Sequence, residues 1–161
     1  MHKIYLALGS NVGDKKKNIL MAIDALGEQI TLITTAKIYA SKAAYVTDQD
    51  DFYNTAISGQ TQLSPEDLLI FVKEIEKKIW RISRAHRWPR EIDIDILLYD
   101  DIILDSETLK IPHPRIAERD FVLQPLLDIE PDLIHPQLQE TMQKLYEKIP
   151  QENRFITQNI G

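Results

Sequence analysis

The run Arg87-Trp88-Pro89-Arg90-Glu91-Ile92-Asp93-Ile94-Asp95-Ile96-Leu97 sets two arginines ahead of a strict alternation of carboxylates and isoleucines. In a β-strand successive side chains point to opposite faces, so Asp93 and Asp95 share one face and Ile92, Ile94 and Ile96 fill a core on the other. Two carboxylates about 7 Å apart on a rigid strand, close to guanidinium groups, suit magnesium and phosphate chemistry. Asp is disfavoured in strands, and two in one strand carry a local cost that an exposed polar face alone does not explain.

The segment from Trp80 to Arg90 adds the positive charge. It holds Arg81, Arg84, Arg87, Arg90 and His86 and no acid, in a chain with 25 Asp and Glu. Arginine presents a fixed fork of donors that matches phosphate oxygens and stays charged at any working pH. A solvated helix end, with Arg81 and Arg84 complementing the helix dipole, is the plainer reading. Trp80 and Trp88 weigh against it, because aromatic rings among charges can stack on a planar ligand. Two further groups are weaker alone. In Pro112-His113-Pro114-Arg115-Ile116-Ala117-Glu118-Arg119-Asp120-Phe121, His113 is held between prolines and fits a phosphate contact or a structural hydrogen bond equally well. Phe52 and Phe121 are rings that more often fill a core, but Asn54 alternates with Phe52 on one strand face. An amide beside an aromatic can read a heterocycle's donors and acceptors. Neither a Gly-x-x-x-x-Gly-Lys-Ser/Thr loop nor a Gly-x-Gly-x-x-Gly fingerprint occurs, and the chain has only 5 glycines. Side chains must then do what backbone amides do in those motifs.

These groups need elements to position them. Lys3 to Gly9 alternates as a strand. Gly9 to Asp14 reads as a turn, with Asp14 capping a helix that carries Ile19, Ala22, Ile23 and Leu26 and ends at Gly27. Leu32 to Tyr39 is β-rich, Ser41 to Asp51 a loop, and Phe52 to Gln62 a strand. Ser64-Pro65-Glu66-Asp67 starts a second helix striped by Leu68, Val72, Ile75 and Ile79. Arg81 to Pro89 reads as a loop, Glu91 to Tyr99 as the aspartate strand, and Phe121–Ile129 and Gln137–Ile149 as helices. The order β-α-β-β-α-β predicts an α+β, ferredoxin-like core: an antiparallel sheet with two helices on one face, plus C-terminal helices.

At 161 residues the chain is expected to be a single domain, 1–161, with an ordinary balance of 43% hydrophobic and 27% charged residues. It has no cysteine, which excludes disulfides and thiolate metal sites. The net charge of −6 argues against a nucleic-acid partner but leaves room for a small phosphorylated ligand at a local basic cluster. Met1 to Leu6 runs straight into a strand pattern without a leader's apolar region, and no apolar run reaches membrane-spanning length. A cytoplasmic monomer without membrane association is the expectation.

Taken together the residues resemble the 6-hydroxymethyl-7,8-dihydropterin pyrophosphokinases of folate biosynthesis. The resemblance rests on Leu8-Gly9-Ser10-Asn11, Phe52-Tyr53-Asn54, Ile75-Glu76, Arg81, Arg87-Trp88-Pro89-Arg90 with Asp93-Ile94-Asp95, Pro112-His113-Pro114-Arg115 and Arg119-Asp120-Phe121. It implies transfer of intact pyrophosphate from ATP, the co-substrate, to the pterin hydroxymethyl group, leaving AMP. It implies two magnesium ions on Asp93 and Asp95. By the same resemblance Arg81 and Arg90 engage phosphates and support turnover, and Lys73, Glu76, Arg84, Trp88, Ile96, His113 and Arg119 surround ATP. Ala43, Phe52, Asn54 and Phe121 would bind the pterin, with the two rings sandwiching it. The chain departs from the family where Trp88 meets Pro89 without an intervening glycine, where Trp80 stands at a common glycine and where Lys73 replaces a glutamine. Its first loop, from Ser41 to Val46, lacks the usual proline-glycine pattern. Rival readings are another two-metal phosphotransferase or phosphohydrolase, and a ferredoxin-like module binding single-stranded RNA.

Overall fold

The computed structural model describes residues 1–43, 51–83 and 91–161. In chain order the elements are β1 (His2–Ser10), α1 (Lys15–Leu26), β2 (Ile30–Thr35), β3 (Tyr39–Ser41), β4 (Phe52–Thr61), α2 (Pro65–Ser83), β5 (Asp93–Tyr99), β6 (Leu104–Asp105), β7 (Lys110–Ile111), α3 (Asp120–Ile129), α4 (Met142–Lys148) and β8 (Ile156–Asn159). The sheet runs β5-β1-β4-β3-β8, with β2 also on β4, and every pairing is antiparallel. This is the expected α+β, ferredoxin-like order. Its second strand comes in two pieces, β2 and β3. β2 is itself interrupted where Leu32 takes φ 54° and the register against β4 shifts. β6 and β7 form a separate small hairpin.

Period-two patterning places the two cores. Ile4, Leu6 and Leu8 of β1 join Ile94 and Ile96 of β5 and Ile57 of β4 against Ile19, Leu26, Leu68, Val72, Ile75 and Ile79 of α1 and α2. Tyr5, Ala56 and Leu97 face the other way, against Val122, Leu123 and Leu126 of α3 and Met142 and Leu145 of α4. The C-terminal helices therefore cover the second face. Tyr5 donates to Glu130 Oε1 at 2.6 Å and Tyr39 to Asp128 Oδ2 at 2.6 Å, which ties the end of α3 to the sheet. Among the described residues no helix is long and apolar enough to cross a membrane.

The predicted helix starts hold. Asp14 accepts the Lys17 N–H at 3.2 Å, and Ser64 Oγ accepts the Asp67 N–H at 3.1 Å. Two expectations are corrected. α2 continues through Ser83, so Arg81 lies in its last helical turn rather than in a loop. The final helix spans only Met142–Lys148, not Gln137–Ile149. His135 Nδ1 accepts the N–H groups of Gln137 and Leu138 at 3.2 and 3.0 Å, and Gln139 takes φ 58°, so those residues form a turn. Thr141 then caps the helix by accepting the Lys144 N–H at 3.2 Å. β8 is unforeseen: it is a mostly polar, largely exposed strand with no alternation to announce it.

Candidate active site

Strand register assembles the site. Gly9 lies opposite Asp93, and Ala7 opposite Asp95, across β1 and β5. Gly9 also lies opposite Asn54 across β1 and β4, and β4 then sets Phe52 against Ser41. Paired residues share a face, so Asp93, Gly9, Asn54, Phe52 and Ser41 all look toward α3. The N-terminal turn of α3 hangs over this patch and contributes Phe121. A cavity of about 200 Å³ lies between them, lined by Ser41, Phe52, Asn54, Asp93, Asp95, Arg119 and Phe121 among others.

The details are specific. Asn54 is 8% exposed and donates through Nδ2 to Ser41 Oγ at 2.7 Å. That bond turns Nδ2 toward Ser41, with Oδ1 lying toward Gly9. A Cβ on residue 9 would stand 2.8 Å from Oδ1, so only glycine lets the amide lie there. The Arg119 guanidinium sits 5.6 Å from the Phe121 ring centre, within cation–π range.

A second cavity of about 220 Å³ adjoins the first, lined by Lys73, Ile94, Asp95, Ile96, Thr108, Lys110 and His113 among others. Asp95 lines both. His113 is fixed by its own backbone: its N–H donates to Leu97 O at 2.9 Å, and Nδ1 accepts the Arg115 N–H at 3.2 Å. The ring proton is thereby assigned to Nε2, which points at Asp95 Oδ2, 4.0 Å away. Burial pushes the His113 pKa down; Asp95 opposes this, while Arg119 and Arg115 add to it. At neutral pH the ring is a neutral donor. Glu76 works from behind. Its Oε2 accepts the Ile94 N–H at 2.7 Å, on the strand residue between the two aspartates, and its Oε1 pairs with Lys73 Nζ at 3.1 Å.

The structure thus gathers Asp93, Asp95, Phe52, Asn54, Arg119 and Phe121 in one cavity and Lys73, Asp95, Ile96 and His113 in the other. Ala43 is half-buried just beyond Ser41 and Lys42, both of which line the first cavity, but does not line it itself. Arg81 is exposed and lines neither cavity, and Glu76 contacts strand backbone. Arg84, Trp88 and Arg90 lie outside the described residues. Sequence reasoning missed Ser41, Lys42, Thr108 and Lys110 as site residues. Ser41 is detectable only from its cross-strand pairing with Phe52, and Lys110 only from a two-residue strand.

Among the described residues no three His, Asp or Glu side chains cluster as a complete metal cage. Two strand carboxylates at the mouth of a cavity, with the Asp95 side chain 45% exposed, instead fit magnesium. That ion takes one or two protein carboxylates and fills its octahedron with phosphate oxygens and water.

An antiparallel ferredoxin-like sheet, carrying paired carboxylates between an aromatic, amide-lined pocket and a basic one, has the groups that metal-assisted phosphoryl transfer requires. Residues 5–131 match the model of the 7,8-dihydro-6-hydroxymethylpterin-pyrophosphokinase (HPPK) family, and the chain belongs to that family. It is 46% identical over 136 residues to the 2-amino-4-hydroxy-6-hydroxymethyldihydropteridine pyrophosphokinase of Aquifex aeolicus, covering 84% of this chain and 85% of that protein. It is 45% identical over 147 residues to the folic acid synthesis protein FOL1 of Dictyostelium discoideum, covering 91% of this chain but only 22% of that much longer protein. Among solved structures it superposes on Plasmodium falciparum HPPK-DHPS with TM-score 0.72 and 19% identity, over 91% of this chain and 45% of that one, a likeness of fold.

Proposed function

We propose that this chain transfers the terminal pyrophosphoryl group of ATP to the hydroxymethyl oxygen of 6-hydroxymethyl-7,8-dihydropterin, as a step of folate biosynthesis. The hydroxyl oxygen attacks the β-phosphorus, the bond from the β-phosphorus to the α-phosphate oxygen breaks, AMP leaves and the hydroxyl proton is released. The observation that carries the reading is the position of Asp95, shared by two cavities of different character. A flat heterocycle suits the cavity with Phe52, Phe121 and Asn54; a polyphosphate suits the one with Lys73, Lys110 and His113.

In this reading Asn54 Oδ1, on an amide held by Ser41, accepts a pterin N–H. Phe52 from the sheet and Phe121 from the helix offer faces to the ring system, with Ala43 closing the edge beside Lys42. His113 Nε2–H, Lys73, Lys110 and Arg119 meet phosphate oxygens, while Ile96 gives the nucleotide an apolar wall. Arg81, from the last turn of α2, and Arg90, together with Arg84 and Trp88 from the segment that follows it, engage the phosphates. Asp93 and Asp95 would hold two magnesium ions, which when bound offset the polyphosphate charge and polarise the β-phosphorus. Glu76 keeps the aspartate strand seated. The whole apparatus comes from one chain, which supports a monomer acting as a single domain on small molecules. An ATP-dependent reaction fits a cytoplasmic setting, and the acidic surface gives a nucleic acid no purchase.

Incubation with ATP, magnesium and the hydroxymethyl dihydropterin should release AMP in amounts that follow the pterin. Release of ADP, or AMP formed equally without pterin, would show a different phosphotransferase or a phosphohydrolase.

A further inference from the structure

The last strand of the chain is fastened to the pterin-side cavity. Asp120, 1% exposed, stands at the first position of α3 between Arg119 and Phe121. Its Oδ2 accepts the backbone N–H groups of both Phe155 and Ile156 at 2.9 Å. The Phe155 ring then meets Phe121 edge-on, with centroids 6.5 Å apart and planes at 67°. On its other side, Phe155 O accepts the Lys42 N–H at 2.9 Å, and Ile156 pairs with Ser41 across β3 and β8. One residue therefore reaches two walls of the cavity, Phe121 through its ring and the Ser41–Lys42 segment through its backbone. This segment lies beyond residues 5–131, which match the family.

We propose that Phe155, seated by Asp120, is a positioning residue for pterin binding. The proposal rests on the pyrophosphokinase reading above and deepens it. Phe121 is half-buried at the start of its helix, where it packs against the second core with the Arg119 guanidinium 5.6 Å from its ring centre, and Phe155 adds an aromatic contact at a defined angle. A stacking face is useful only at a set tilt, and the edge of Phe155 sets it. The carbonyl of the same residue holds Lys42 and so fixes the wall carrying Ser41, the partner of Asn54. Ring and amide are thus kept in register by one clamp. The ATP-side cavity shares neither contact.

Two variant pairs test this. Phe155→Leu keeps bulk but loses the ring, and Phe155→Tyr restores it. Asp120→Ala removes the backbone acceptor, and Asp120→Asn retains an oxygen in its place. The readouts are KM for the dihydropterin and for ATP, kcat, thermal midpoint, and calorimetric binding of the pterin in the presence of magnesium and a non-hydrolysable ATP analogue. In Phe155→Leu the pterin KM and Kd should rise about three- to tenfold, the range of an aromatic edge contact, with ATP KM unchanged and Phe155→Tyr near wild type. Asp120→Ala should show the same split and Asp120→Asn a smaller one; should Asp120→Ala not fold, the Phe155 pair decides. Unchanged pterin constants in Phe155→Leu, or an equal rise for ATP, overturns the proposal while wild-type turnover leaves the parent reading intact. Wild-type protein with no pterin-dependent AMP overturns both.

Discussion

Gly9→Ala puts the geometry of the pterin-side cavity under its most direct test. The backbone at Gly9 has an ordinary strand conformation that alanine tolerates, so the effect must be steric. The added Cβ would lie 2.8 Å from Asn54 Oδ1, with Phe52 Cδ1 and Tyr53 O both at 3.8 Å. Only the amide is in conflict. It cannot step aside freely, because Nδ2 is held by Ser41 Oγ at 2.7 Å in a site that is 8% exposed. Either the Asn54–Ser41 bond breaks, or the amide rotates and withdraws its acceptor from the cavity. A buried polar group deprived of its partner costs about 1–3 kcal/mol. Spent against pterin binding, that is a rise of roughly fivefold to 150-fold in pterin KM, with ATP KM unmoved. A double-mutant cycle separates this route from any other. In an Asn54→Ala background the obstruction has gone, so Gly9→Ala should then add almost nothing. Pterin KM unaffected by Gly9→Ala, or the same loss with and without Asn54, would refute the reasoning.

Other expectations follow from single contacts. Asp95→Ala should lower kcat about a hundredfold or more, as loss of a preorganised charge at a reacting phosphate does, while the thermal midpoint stays near wild type because the side chain is 45% exposed. Glu76→Ala should leave the Ile94 N–H unpartnered; hydrogen exchange at that amide should quicken and kcat fall, with Glu76→Gln intermediate. Burial pushes the His135 pKa down. Its depressed folded value makes the ring's contribution present above the unfolded pKa of about 6.5 and lost as pH falls below it, because the unfolded chain takes the proton first. Urea midpoints at mildly acidic and neutral pH should therefore converge in His135→Gln relative to wild type.

The parts of the molecule that chemistry needs most were legible where a periodic pattern met a local signal. Asp93 and Asp95 alternate with isoleucines, and the core requires the isoleucines to turn inward, so the aspartates' face follows. Asp14 and Ser64 announce their helices because an N-cap acts within three residues. The illegible parts depend on partners remote in sequence or on local competition. β8 exists because β3 offers it an edge and Asp120 anchors it, and Ile156 to Asn159 contain neither signal. Gln137 to Glu140 have helical spacing, but the His135 ring takes their N–H groups first. For Arg81 the residue type was readable and the element was not, since α2 continues past the point where the charges begin. Gly9 and Ser41 become site residues only through register: one by lacking a side chain opposite Asn54, the other by holding the amide.

The aspartate strand lies at the rim of the sheet, with β1 on one side and, among the described residues, no strand on the other. A rim strand exposes a row of backbone donors and acceptors that a second chain can extend, which is how many sheets begin to aggregate. Here the outward Ile94 N–H is already taken by the Glu76 carboxylate. A second copy of β5 laid antiparallel alongside would also bring like charges together, which is unfavourable across strands. The aspartates proposed to hold the metal therefore also set like charges along the open margin, which disfavours self-association. Neutralising both aspartates to study metal binding removes that protection along with the activity.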